Sequence, residues 1–441
     1  MKKHQVIFLL TILFTGVGTA CAQNTREAVK NPASTNTSAT SAQSCQPLET
    51  REPNAAGQKP AFPGQTRACG VKSDVAFDVT VLARGLDRPW AVEPLPNGDL
   101  LVTEKSGSMR IVSAKGEIGQ PIGGLLPTGQ QGGVSAASAQ GGLPPIAARG
   151  QGGLLDVALS PNFAKDRTIF WSFSEQREGG SGTTVARGRL SEDRRNLEDV
   201  RIIFRAMPTY SNGLHFGSRL AFGPADGKLY ITLGDRFDRP NRPKVQQLDN
   251  HLGKIVRINP DGSVPEDNPF AKQQGALQET WSLGHRNIQS AAFDEQGRLW
   301  AVEHGPRGGD ELNLIEKGKN YGWPVQSYGE EYSGDALPGA VTSREGYVDP
   351  VYYWDPVIAP SGMQFYTGNA FPAWRGSVFV GGLASQRLVR LVIKDNRVVG
   401  EEHLLTDRGR RVRDVRQGQD GALYVVTDER DGELWKITPR R

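Results

Sequence analysis

Three clusters along this chain hold residue types that could do chemistry together. The first, NGLHFGSRL, sets His215 and Arg219 just ahead of an apolar run. An imidazole with an ordinary pKa of about 6.5 suits proton abstraction near neutrality. The second, EHGPRGGDELNLIEKGKNYGWP at residues 303–324, joins Gly-Pro carbonyls to Asp310 and Glu311. Carbonyl and carboxylate oxygens are what Ca2+ takes as ligands. The third, TDRGRRVRDVR at residues 406–416, sets five arginines into nine positions from Arg408. Guanidinium forks match carboxylates in plane and spacing. Taken singly, each has an ordinary structural reading: a hydrogen-bonded histidine, surface carboxylates, solvated arginines. Taken together, a base, a hard-cation loop and a carboxylate-binding cluster suit a polyanionic organic cofactor seated on calcium. Other chemistries lack their motifs, because no Walker loop, HExxH, CxxCH or GxSxG occurs.

Such clusters need a frame that gathers loops, and the rest of the chain repeats one. An apolar strand, a turn carrying Gly with Asn or Asp, and an alternating β-branched or aromatic strand recur. The copies are VEPLPNGDLLVTEK from Val92, VALSPNFAKDRTIFWSFSE from Val157, LAFGPADGKLYITLGD from Leu220, AAFDEQGRLWAVEHGP from Ala291, MQFYTGNAFPAWRGSVFVGG from Met363 and VRQGQDGALYVVTDE from Val415. Each reads as a hairpin, since Gly supplies the positive φ of a tight turn. Spaced about 65 residues apart, the units exceed the roughly 40–50 residues of a propeller blade and leave room for long loops. The expected fold is all-β, a six-bladed β-propeller of four-stranded antiparallel blades. A two-sheet sandwich would not need six similar units, and no long helical period supports a doubly wound fold. The strand at residues 75–83 is expected to close the ring against the last blade. Residues 116–150, rich in Gly, Ala, Gln and Pro, read as a mobile loop inserted in the first blade.

The chain opens on an address. Lys2 and Lys3 precede an uncharged apolar stretch at residues 6–17, too short to span a bilayer. Residues 1–22 read as a signal peptide, so the protein is expected to be exported to the periplasm. Two cleavage readings stand: after Ala22, or at a lipobox-like GTAC that would leave lipid on Cys21 as a membrane anchor. Residues 23–73, poor in apolar side chains, read as a flexible linker, with the folded catalytic domain at 74–441. In an oxidising compartment Cys45 and Cys69 most simply pair, a bridge contributing about 3 kcal/mol. The net charge of +4 gives no reason to expect nucleic-acid binding.

At its chemical clusters the sequence resembles the soluble, pyrroloquinoline quinone (PQQ)-dependent aldose sugar dehydrogenases, the group that includes soluble glucose dehydrogenase. The motifs carrying the likeness are GQGGLLDVALSP, HFGSRL, DGSVPEDNPF, LGHRN, the 303–324 cluster, SGMQFY and LTDRGRRVRDVR, in order from Gly150 to Arg416. The resemblance implies oxidation of an aldose at its anomeric carbon to the lactone, with PQQ taking the hydride. His215 matches the catalytic base. Gly305 and Pro306 match the pair whose carbonyls hold the cofactor's Ca2+, and Glu311 and Tyr321 match ligands of a second, structural Ca2+. Arg411 and Arg413 match a PQQ-binding arginine pair, Gln151 a glutamine near cofactor and base, and Arg239 a cofactor-facing arginine. Tyr332 is expected at the cofactor wall and Trp354 at the sugar wall. Without a haem motif, electrons must pass to an external acceptor, a quinone or cytochrome.

Two positions depart from the family pattern. Leu214 stands where soluble glucose dehydrogenase has an Asp before the base. In GGLASQR, Ala384 stands where the family carries a PQQ-binding lysine. Two other readings keep the propeller: an exported binding module that no longer holds PQQ, and a calcium-dependent lactone hydrolase. A hydrolase of small neutral lactones would have no use for the arginine cluster.

Overall fold

The computed structural model describes residues 45–125 and 145–440. The expected signal segment, Cys21, residues 23–44 of the expected linker and the larger part of the expected inserted loop lie outside them. Six antiparallel sheets succeed one another along the chain, as the six hairpin repeats require. Each repeat is the inner hairpin of one blade. In blade 3, for example, Leu220–Phe222 runs along the axis and turns into Leu229–Thr232, followed by Lys254–Ile258 and Thr280–Leu283. The six innermost strands neighbour one another in sequence order, and the last contacts the first. Five blades have four strands. Blade 1 has three named strands, Pro89–Pro94, Leu100–Glu104 and Ser108–Val112. A ragged fourth lies beside them: Gly119 N–H donates to the Ile111 carbonyl and Ile122 N–H to that of Met109.

The ring closes as its sequence suggested. Strand Phe77–Leu86 pairs antiparallel with Gly432–Pro439 and becomes the outer strand of blade 6. Between each neighbouring pair of blades lies one apolar cluster, six in all among the described residues. Large rings anchor three of these faces: Trp171, Trp300 and the pair Trp374 and Trp435 are fully buried. The central channel is ionic instead. Arg219 Nη1 meets Asp156 at 2.7 Å and its Nη2 meets Asp414 at 3.0 Å, with all three side chains buried. Arg416 reaches Glu93 at 3.3 Å beside them. Arg219, flagged with His215 in the sequence, thus ties blades 2, 3 and 6 together at the axis.

The folded unit begins at Cys45 rather than at Asp74, so the expected linker is too long. Residues 45–73 lie against blades 4 and 5, held mainly by hydrogen bonds, which is why their low apolar content misleads. Gln65 is fully buried and donates to Tyr328 Oη and to the Pro350 carbonyl. Asp355 accepts from the backbone of Asn54 and Ala55. Cys45 and Cys69 form the expected disulfide.

Candidate active site

In an antiparallel blade, the entry to the first strand and the exit from the second lie at one end. Gln151, His215, Arg286 and Arg411 lie at entries, while Lys105, Asp235, His304 and Asp428 lie at exits. All therefore converge on one face of the ring. There a cavity of about 390 Å3 is lined by Trp90, Lys105, Gln151, His304, Arg413 and Asp428, among others.

His215 is buried in the left-handed region at φ 50°. Its N–H donates to Gln151 Oε1 at 2.8 Å, and the Asp235 carboxylate holds Nδ1 at 2.6 Å. Two residues on, Gly217 (φ 63°) allows the loop to lie on blade 3, where a Cβ would come within 2.6 Å of Leu233 Cα. Asp235 is fixed in turn by the Phe237 N–H at 2.8 Å and by Trp323 Nε1 at 2.9 Å. A carboxylate on Nδ1 keeps the proton there and leaves the Nε2 lone pair as the base. Burial lowers the His215 pKa below its usual value; Asp235 opposes this, and Arg286 adds to it. His304, on the same cavity wall, is pushed down to about 3 by burial and is neutral.

The opposite wall is cationic. Arg411 Nη2 and Arg413 Nη2 share Asp428 Oδ2 at 3.0 and 2.9 Å. Burial would raise the Asp428 pKa, but Arg413 and the neighbouring cations pull it down to about 2. Lys105 Nζ reaches only a carbonyl, that of Gly150, at 3.0 Å. One carboxylate thus faces three cations. Arg413 Nε is buried without an acceptor, and so is Arg286 Nε. Buried donors left unpaired cost about 1–3 kcal/mol each, and the cavity lining sets three cations against one carboxylate, which favours an anionic, acceptor-rich ligand.

Arg286 joins the two walls. Its carbonyl accepts from Asp235 N–H at 2.8 Å. Its Nη1 donates to the carbonyls of His304 at 3.1 Å and Gly305 at 2.5 Å. Asp310 staples the same loop by accepting from Gly305 N–H and from the N–H groups of Ile358 and Ala359. Farther out in blade 4, Glu303 and Glu311 stand opposite each other in the ladder. Asn313 Nδ2 bonds both at 3.1 Å, while its Oδ1 is buried with no partner. Burial, and next the charge of Glu303, raise the Glu311 pKa well above normal.

A family model for glucose/sorbosone dehydrogenases matches residues 86–436, nearly the whole propeller. The chain belongs to that family. As a member of the glucose/sorbosone dehydrogenases it is an oxidoreductase. It is 44% identical over 369 residues to aldose sugar dehydrogenase YliI of Escherichia coli, covering 82% of this chain and 93% of that one. The apo structure of the soluble aldose sugar dehydrogenase from Escherichia coli superposes with a TM-score of 0.76 at 43% identity, covering 83% of this chain and all of the other (100%). The PQQ-bound aldose sugar dehydrogenase of Streptomyces coelicolor superposes with a TM-score of 0.64 at 30% identity, covering 83% and 99%.

Within this glucose/sorbosone dehydrogenase chain, most of the expected site residues come together. Gln151, Arg411 and Arg413 line the cavity, His215 stands behind it on the Gln151 amide oxygen, and Gly305 and Pro306 follow the lining residue His304 in the chain. Tyr332 is half exposed on the same side as His215, linked to its loop through the Phe237 ring, its Oη accepting from Arg286 Nη2 at 3.4 Å. Two expectations need correction. Arg239 is on the surface, paired with Glu331, because its 3-10 turn carries it outward. Trp354 is buried in the outer strand of blade 4, in the cluster shared with blade 5, and not at the sugar wall. Tyr321 lies near Glu311, linked to it through His285 and Glu303, but its hydroxyl bonds Leu314 and Glu316 within the fold. Any ligand role there falls to its carbonyl. Arg286, Asp235, Lys105 and Asp428 are the residues the sequence reading passed over.

Proposed function

We propose that this chain oxidises aldose sugars at the anomeric carbon to the lactone. PQQ and Ca2+ are its cofactors, and an external quinone or cytochrome is its electron acceptor. One observation carries the reading: the Asp-oriented, neutral His215 lies directly behind Gln151, Phe216 and Gly217, which line a cavity whose other wall sets Lys105, Arg411 and Arg413 against the single carboxylate of Asp428. The names of the Escherichia coli and Streptomyces relatives support the same substrate class and cofactor.

The residues fit the cofactor. Arg411, Arg413 and Arg286 offer forked donors to carboxylate and quinone oxygens, and the Gly305 and Pro306 carbonyls offer hard oxygen donors to calcium. Among the described residues no three His, Cys, Asp or Glu side chains cluster as a metal site, so calcium ligation rests on carbonyls and on the Glu303–Glu311–Asn313 group. Bound PQQ supplies an electrophilic quinone able to take two electrons from the anomeric C–H bond. The protein's part is proton handling and orientation. His215 Nε2 accepts the anomeric hydroxyl proton, and Asp235 holds Nδ1–H and stabilises the imidazolium that forms. Gln151 fixes the backbone from which the ring projects. Leu214 makes the surface beside the base less polar than a carboxylate would, which alters sugar contacts. The charged and apolar start of the chain supports export to the periplasm.

Reconstitution tests the proposal: purified protein is given PQQ and Ca2+, and dye reduction is followed on a panel of aldoses. Activity that needs both additions and disappears with chelator is expected. An absence of PQQ binding would favour the binding-module reading.

A further inference from the structure

The turn that carries Ala384 brings no cation to the cavity. Ala384 and Ser385 donate their N–H groups to the Ile358 carbonyl. Arg387, three positions on, is turned away: its Nε bonds the Ser385 carbonyl and its Nη1 meets His403 at 2.7 Å. A different ammonium lies on the same cavity. Lys105 leaves the second strand of blade 1, and its Nζ has one protein partner, Gly150 O, with two N–H positions to spare.

The backbone beneath Lys105 is pinned. Its N–H donates to the Arg88 carbonyl and its own carbonyl accepts from Leu154 N–H at 3.3 Å. Gly153 lies so close that a Cβ there would come within 2.2 Å of that carbonyl. Lys105 is therefore seated between blades 1 and 2 before any ligand arrives, which limits the ordering cost of binding.

We infer that Lys105 binds a carboxylate of PQQ and supplies, from the blade 1 side, the ammonium that Ala384 lacks. The assignment rests on the PQQ reading above. Its electrostatics agree. The groups facing Lys105 are Arg413, Asp428, Arg88 and Arg411, three cations and one anion. Burial, then those arginines, push the Lys105 pKa down to about 8. A polycarboxylate relieves that repulsion, and the free ammonium is largely lost above pH 8.

The test is equilibrium PQQ binding by full-length protein without sugar, read by quenching of tryptophan fluorescence and checked by ultrafiltration. Lys105→Gln is expected to weaken binding about 10- to 100-fold at pH 7, while Lys105→Arg stays within about threefold of wild type. From pH 7 to 9, wild-type affinity should fall and that of Lys105→Arg should hold. Ala384→Lys in the Lys105→Gln background should restore binding. Thermal melts verify that each variant is folded. Wild-type binding with equal affinity in folded Lys105→Gln overturns the role of Lys105 alone. No binding by wild type overturns both this role and the PQQ reading.

Discussion

Replacing Asp235 by Asn separates the orienting charge from the base while keeping the shape. The carboxylate accepts from three donors: His215 Nδ1, Phe237 N and Trp323 Nε1. An Asn has one oxygen to offer two faces. With that oxygen toward His215, its NH2 opposes the indole N–H, a donor against a donor that costs about 1–3 kcal/mol of stability. Flipped, its NH2 opposes Nδ1 and drives the proton to Nε2, the atom meant to act as base. Even the better orientation loses the charge that stabilises the imidazolium. At an effective dielectric of about 20 and a separation of about 4 Å that charge is worth about 4 kcal/mol, or roughly three decades in rate. We therefore expect kcat for dye reduction to fall about 1000-fold, with the PQQ titration unchanged. Asp235 holds the His215 pKa up against burial, so the acid limb of the pH profile should also move lower in the variant. A folded Asp235→Asn protein with kcat within threefold of wild type and an unmoved acid limb would refute the orienting role.

Other outcomes can be checked. Because burial depresses the His215 pKa, kcat/KM for the wild type should stay flat as pH falls through 6.5 and decline only below it; a midpoint above 6.5 contradicts the assigned environment. Chelation should lower the melting temperature of the wild type by leaving Glu303 and Glu311 facing each other. Glu311→Gln, freed of that repulsion, should melt higher than chelated wild type and respond little to chelator, as calorimetry with and without Ca2+ would show. Since Glu311 is raised, the metal-free fold should gain stability as pH falls from that raised value toward about 4.5. Changing both Cys45 and Cys69 to Ser should cost up to about 3 kcal/mol in urea unfolding, less where the hydrogen bonds of residues 45–73 hold the segment unaided.

The propeller was legible because its inner hairpins repeat in turn chemistry and alternation, and the closing strand could be placed for the same reason. The His215, Gln151, Arg411 and Arg413 loops were legible as motifs. Asp235, Lys105, His304 and Asp428 were not, although the repeats held the signal. LLVTEK, LWAVEH and LYVVTD end at the same place in a blade and LYITLGD one residue beyond it, so aligning the hairpins brings those residues onto one face. Arg286 lies inside LGHRN at a blade entry, like His215 and Arg411, a position that sets it apart from Arg239. Trp354 misled because a large aromatic reads alike in a pocket wall and in a core. The N-terminal segment misled because hydrogen bonds to a distant blade leave no trace in local composition.

The seam in blade 6 has a consequence for how the protein is made. Strand Phe77–Leu86 finds its partner only when Gly432–Pro439 exists, so the ring cannot latch until nearly the whole chain has been synthesised. Joining ends so far apart carries a large loop-closure entropy and favours slow completion. On the export proposed above, that delay would act as a timer: final closure waits for the last strand, so the polypeptide would remain open for passage and latch only after it.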